Sequence, residues 1–340
     1  MRPWSQELIG HIDEREFHSP SLDDNPLGDP STRPIAIYTP PGYAESDLAY
    51  PSIYVLHGYG SHVATWSERH LFDLTVPERI DEVFAMGGSP CVVVYVDAWT
   101  RFGGSQYVDS PGTGNYHTYL STDVISYVDE NYRTIPAPQS RAVIGQSSGG
   151  IGAITASLLR PDVFGAFAAH APDACFDLTM RGELALAHRA LRDLYDSSYD
   201  AFFSDFSSRL PMSRPSDFTL QLVWAMSACY SSDPDGTVRV PFDLSSGQLI
   251  EELWERWLDW DPYRLIPRHK DAVRQMRAIW LDSGRRDENL FDVAAEMLAH
   301  SLSAQDPKDF VFELYEGTHR DYRHRFATSV RYLAERLKRD

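Results

Sequence analysis

The 340-residue sequence is short of cysteine, with only Cys91, Cys175 and Cys229. An odd number at wide spacings forms neither a disulfide framework nor a zinc-binding pattern. Cys91 opens an apolar run and reads as a small core residue. Positive charge is also scarce. The 31 Lys and Arg residues face 49 Asp and Glu, a formal net charge of −18. So acidic a chain repels phosphate backbones, which sets nucleic acid aside as a partner and leaves a well-solvated surface as the plain reading of the acidity. No run of about twenty apolar residues is present, so no membrane span is expected. The opening Met1-Arg2-Pro3-Trp4-Ser5-Gln6-Glu7 has no apolar h-region. A signal peptide is therefore not expected, and a cytoplasmic location is the default, though the mature form of a trimmed secreted protein would look similar. Internal repeats are absent, and nothing in the sequence speaks to oligomeric state.

What the sequence does hold is a pentapeptide, Gly145-Gln146-Ser147-Ser148-Gly149. Before it stands the β-branched run Arg141-Ala142-Val143-Ile144. After it, Gly149 to Leu159 is small, apolar and long enough for a buried helix. At ordinary glycine and serine frequencies, G-x-S-x-G arises in roughly one chain in ten of this length, so the context has to decide. Strand, sharp turn and helix is the setting of a nucleophile elbow. A serine at the tip of such a turn crowds its neighbours, and residues without Cβ relieve the clash. It also sits at a helix N-terminus, where free N–H groups and the macrodipole favour an oxyanion.

The rest of the chain alternates strand and helix around this point. Residues 12–20 and 34–39 read as opening strands. Ser52 to Leu56 is a continuous apolar run, as in a buried parallel strand, and it ends in His57-Gly58-Tyr59-Gly60. A strand running into H-G-x-G is a loop that supplies an oxyanion N–H. A helix is expected from Trp66 to about Met86, and Cys91 to Val96 is the next strand. Trp99, Tyr107 and Asn115 to Tyr119 lie on loops at carboxyl strand ends, where open α/β sheets build their sites. They either line an acyl or alcohol pocket or pack the loop. Ser121 to Tyr132 reads as a helix. Phe164 to His170 reads as a strand whose terminal His170 is more simply structural than ligand-binding. From residue 173 to 270 the alternation is lost: Leu184 to Tyr195 looks helical, Tyr199 to Phe206 and Phe218 to Tyr230 are aromatic-rich, and Glu251 to Trp257 is a further amphipathic helix. This stretch is expected to be a lid or cap inserted into a core formed by residues 1–172 and 271–340. Strands at 278–282 and 310–315, and helices at 291–303 and about 322–339, complete the core. The fold class expected is α/β, an α/β-hydrolase fold with a mostly parallel sheet, helices on both faces and a helical lid.

Serine, then an acid after a late strand, then histidine after the last strand is the order of an α/β-hydrolase triad. Ser147, Asp287 and His319 fit it. A serine hydroxyl is a weak nucleophile at neutral pH, so an imidazole must take its proton. A carboxylate fixes the imidazole tautomer and stabilises the imidazolium. The backbone N–H groups of Tyr59 and Ser148, with Gly58 in the same loop, are the candidate oxyanion donors. Competing candidates are Ser148 for the nucleophile, Glu288 and then Asp282 for the acid, and His324 and His300 for the base. No metal ligands are proposed.

On the segments Tyr54 to Gly58, Gly103 to Ser110, Asn131 to Thr134, Gly145 to Gly150, Gly284 to Glu288 and Glu316 to His319, the chain resembles the putative-esterase family of α/β-hydrolases. Esterase D (S-formylglutathione hydrolase), feruloyl and acetylxylan esterases, enterochelin esterase and the antigen 85 mycolyltransferases belong to it. The resemblance runs from about residue 34 to the C-terminus, with 173–270 least covered. It implies no cofactor, Ser147 as nucleophile, Asp287 as acid, His319 as base and Tyr59 as oxyanion donor. One departure is visible: the family pattern usually has methionine where this chain has Ser148.

The function expected is a serine carboxylic-ester hydrolase acting through an acyl-enzyme on a small-molecule or glycan-linked ester. An acyltransferase with the same triad, or a non-catalytic binding relative, are the alternatives. The aromatics of 173–270 suit an apolar or aromatic acyl group better than a polyanion.

Overall fold

The computed structural model describes residues 7–69 and 73–339. Eight strands form one sheet: β1 (His11–His18), β2 (Thr32–Thr39), β3 (Ser52–Leu56), β4 (Val92–Val96), β5 (Arg141–Gln146), β6 (Ala166–His170), β7 (Ala278–Gly284) and β8 (Phe310–Tyr315). Their spatial order is β1-β2-β4-β3-β5-β6-β7-β8. The first two strands add antiparallel to β4, and every other pairing is parallel. Parallel strands need covered faces, which explains the β-branched and small apolar runs of β3 to β6.

Alternate residues of each strand feed opposite cores. Tyr54, Leu56, Val94, Val143, Phe167 and Leu281 face one layer of helices. Ile53, Val55, Val93, Ile144, Ala168 and Trp280 face the other. The helices α1 (Val76–Ala85) and α2 (Arg323–Ala334, the closing helix) cover the second face. The helix following Ser147, Ser148–Leu159, lies on the first face with the helix Phe291–Ser303.

Most expected elements stand within two residues of their predicted bounds, and two differ in kind. In place of a single helix from Trp66 to Met86 there is a short turn, Val63–Ser67, and then α1, while residues 70–72 of that stretch lie outside the described residues. A new helix starts at Thr75 because its hydroxyl accepts from the Glu78 N–H while Glu78 accepts from the Thr75 N–H, a reciprocal cap, with a proline in the first turn. The helix expected at Ser121 begins at Tyr116 and passes through a widened turn at Tyr119–Val124 before Ile125–Asn131.

Between β6 and β7 the chain runs through helices at Arg181–Leu194, Tyr199–Ser208, Asp217–Tyr230 and Glu251–Leu258. They share a third cluster built from Leu184, Leu191, Phe202, Leu220, Val223, Trp254 and Trp257. No helix among the described residues is long and apolar enough to cross a membrane.

Because β3 to β8 are parallel, their carboxyl ends lie along one edge of the sheet. His57, Asp97, Ser147, Asp173, Asp287 and His319 all follow these ends. This is the edge at which open α/β sheets place their ligands.

Candidate active site

Ser147 stands directly after β5 with φ 56° and ψ −124°. For a residue with a Cβ this is a strained conformation, and such strain collects at functional positions. It persists because the surroundings leave no alternative. A Cβ on Gly145 would lie 2.1 Å from the Gly149 carbonyl oxygen, and one on Gly149 would lie 2.3 Å from the Leu56 carbonyl oxygen. The helix can close against β3 and β5 only if both positions are glycine. Ser147 is fixed further by donating its N–H to the His170 carbonyl, at 3.0 Å.

His319 and Asp287 come to it from the last two parallel strands. The loops after β7 and β8 are laced together: Arg285 N–H donates to Tyr315 O and Arg286 N–H to Gly317 O. His319 Nε2 is 3.1 Å from Ser147 Oγ, and His319 Nδ1 is 2.8 Å from Asp287 Oδ2. With Nδ1–H donating to the carboxylate, Nε2 carries the lone pair that faces the serine. Asp287 is buried, and the Phe291 ring packs edge-on against the imidazole at 5.1 Å. Burial alone would lower the His319 pKa. The Asp287 hydrogen bond and the charges of Asp287, Asp173 and Glu288 outweigh it and hold the imidazole above its ordinary value.

The other candidates fall elsewhere. Glu288 is exposed and accepts the His319 backbone N–H at 3.0 Å, so it holds the loop while Asp287 meets the ring. Asp282 and His170 are fully buried and bond to each other at 2.7 Å. His170 Nε2 meets Ser329 Oγ and Asp282 also holds Trp280 and Arg325, a structural cluster between strand and closing helix. His300 and His324 are on exposed faces.

The loop after β3 lies against the elbow. A Cβ on Gly58 would sit 3.3 Å from Ser147 Cβ. His57 is buried; its Nε2 accepts the Ala98 N–H at 2.9 Å, tying the loop to the end of β4. Among the described residues neither the Tyr59 nor the Ser148 backbone N–H has a protein acceptor. The Tyr59 ring lies along Gly103 and meets Phe218 edge-on at 6.1 Å. Tyr107 is packed behind this loop rather than open to a pocket: its hydroxyl donates to the His57 carbonyl at 2.8 Å and its ring abuts Gly152. Trp99 is partly exposed, and its carbonyl accepts from Arg33 at 2.6 Å.

Two groups escaped sequence reasoning. Gln146 Nε2 stands 3.0 Å from His319 Nε2. Asp173, three residues beyond β6, accepts from Ser147 Oγ at 3.0 Å and from Ser148 Oγ at 3.1 Å, and is buried. The signal available for Asp173 was its place just after a strand beside the elbow. Among the described residues no cluster of His, Cys, Asp and Glu could hold a metal ion.

Residues 30–338 match the family model described as "Putative esterase". The chain belongs to the putative-esterase family. YbbA of Bacillus subtilis, an uncharacterized protein, is 27% identical over 157 residues, covering 43% of this chain and 57% of YbbA. Esterase Rv1288 of Mycobacterium tuberculosis is 28% identical over 126 residues, covering 35% of this chain and 25% of that protein. The chain thus spans little more than half of the first relative and a quarter of the second. A solved ferulic acid esterase superposes with a TM-score of 0.63 at 18% identity, covering 98% of this chain and all of that one. An S-formylglutathione hydrolase from Agrobacterium tumefaciens gives 0.58 at 16%, covering 98% of each. At these identities the likeness is one of fold, and it extends over nearly the whole of both chains.

Proposed function

We propose that this chain is a serine carboxylic-ester hydrolase that works through an acyl-enzyme. The observation that carries the reading is the continuous hydrogen-bond line from Ser147 Oγ through His319 to Asp287. Family membership supports it independently.

In the first half-reaction His319 Nε2 takes the Ser147 proton as Oγ attacks the ester carbonyl carbon. Asp287 holds the imidazole by its Nδ1–H and stabilises the imidazolium. The Tyr59 and Ser148 N–H groups receive the oxyanion, pre-set by the loop's contact with the elbow. The imidazolium then gives its proton to the departing alcohol oxygen, and water repeats the cycle on the acyl-enzyme. Helices of the 173–270 segment serve as a lid: Phe218 against Tyr59 puts an aromatic surface beside the oxyanion loop, suited to shielding an acyl group from water.

Hydrolysis of short-chain p-nitrophenyl esters by the parent and Ser147→Ala tests this. The serine variant is expected to lose activity by about four orders of magnitude or more. Equal rates in the two proteins overturn the assignment.

A further inference from the structure

Ser147 has one hydroxyl hydrogen and two acceptors for it. His319 Nε2 lies at 3.1 Å and Asp173 Oδ1 at 3.0 Å. The second carboxylate oxygen of Asp173 accepts from Ser148 Oγ at 3.1 Å. This carboxylate is 6% exposed, and its donors among the described residues are these two hydroxyls, with no salt-bridged arginine or lysine. Burial pushes its pKa up, against the pull of His319 and of the two hydroxyls, while Asp287 adds to the rise. Ser148 fixes its orientation, which the thioether of a methionine at that position would not do.

The catalytic cycle changes what Asp173 faces. On acylation the Ser147 Oγ–H bond breaks, its proton passes through His319 to the leaving alcohol, and Oγ bonds to the acyl carbon. Oγ is then an ester oxygen that can accept but not donate. Asp173 Oδ1 can no longer receive that hydrogen and faces a lone pair, while remaining buried. A buried acceptor left without a donor is destabilising, and more so when charged. An acyl group that brings its own O–H or N–H close to the carbonyl carbon removes that cost. The acyl carbon is bonded to Oγ, 3.0 Å from Asp173 Oδ1, so donors on its α and β carbons are the acyl-group donors held within reach of Asp173.

We propose that Asp173, oriented by Ser148, is a specificity-determining residue that selects esters whose acyl group carries a hydroxyl or amino donor on the carbon next to the carbonyl or the one after it. This rests on the acyl-enzyme reading above and narrows its substrate to hydroxyacyl and aminoacyl esters.

The test pairs p-nitrophenyl esters of 2-hydroxy- and 2-methoxybutyrate, and of the corresponding 3-substituted acids. Hydroxy and methoxy groups have similar inductive effects, but only the first donates. The readout is the ratio of kcat/KM, hydroxy over methoxy, in at least one pair. The parent is expected to show a ratio of about ten or more, as leaving a buried acceptor unpaired implies, well short of the roughly 10⁴-fold a site built wholly around such a bond can reach. Asp173→Ala is expected to bring it close to one, and the same-shaped Asp173→Asn to lower it several-fold. Stoichiometric labelling of Ser147 by a fluorophosphonate shows that each variant is folded. If Asp173→Ala fails that check, Asp173→Asn decides. A parent ratio near one in both pairs overturns the proposal, whether a water or a proton satisfies Asp173. So does a high ratio that survives in the folded variants. Failure of the esterase reading looks different: neither labelling nor hydrolysis in the parent.

Discussion

At Ser147 two demands meet. The backbone is held at positive φ, and the side chain must reach His319. Strain of this kind costs on the order of 1–3 kcal/mol and is sustained by the surrounding fold. Replacing the serine by glycine removes the Cβ that creates it, whereas alanine retains it. Ser147→Gly is therefore expected to exceed Ser147→Ala in unfolding free energy by about 1 kcal/mol in urea titrations, although glycine ordinarily destabilises relative to alanine. An alanine variant as stable or more stable would remove the case for strain. The same scale governs pH. On the proposed mechanism His319 must be neutral to accept the proton, so activity is expected to rise with pH through its raised pKa and to be lost below it. Glu288 contributes to that rise from an exposed position. Glu288→Gln is expected to move the acid limb of the kcat/KM profile to lower pH by less than about one unit, and by less still in high salt. A limb that stays in place or moves upward contradicts this. Ser147, Asp287 and His319, which the structure brings together, could be picked out as triad candidates because each closes a short local pattern at a strand end. Asp173 could not, because its partners are set by β6 lying beside β5 in the sheet, a neighbourhood no local pattern records.

Among the elements, the elbow depends on two chain segments approaching closer than side chains permit. Gly149 rides against the Leu56 and His57 carbonyls, at 2.3 and 2.8 Å from where a Cβ would stand. Gly149→Ala must push the helix away from β3, and with it the loop bearing Tyr59. A loss of about 2 kcal/mol in stability is expected, with a fall in kcat larger than any change in KM. Unaltered stability and turnover would show that the close approach is dispensable. Element boundaries were most legible where one strong periodic run filled the element, as in Phe291–Ser303 and Phe310–Tyr315. They were least legible between Trp66 and Met86, where the reciprocal cap at Thr75 starts a helix inside an amphipathic-looking stretch. The helices at Tyr199–Ser208 and Asp217–Tyr230 showed in the sequence only as aromatic enrichment, because their packing partners are one another across long sequence separations.

For the molecule as a whole, one parallel edge gathers residues from six strands, and its far side is locked by a buried ion pair. Arg33, from the antiparallel β2, pairs with Asp97 after β4, both nearly inaccessible. Asp97 also accepts the Val63 N–H at 3.0 Å, and Arg33 reaches the Trp99 carbonyl. Arg33→Met leaves Asp97 buried without its cation, which costs about 3 kcal/mol or more. A Tm unchanged from the parent's would show the pair to be dispensable. On the proposed function, this assembly presents one activated serine. The direct measurement is intact-mass spectrometry after reaction with a fluorophosphonate. The account predicts a single adduct located at Ser147, absent from Ser147→Ala and formed far more slowly in His319→Ala. An adduct that persists in Ser147→Ala, or a parent protein that takes up none, would contradict it.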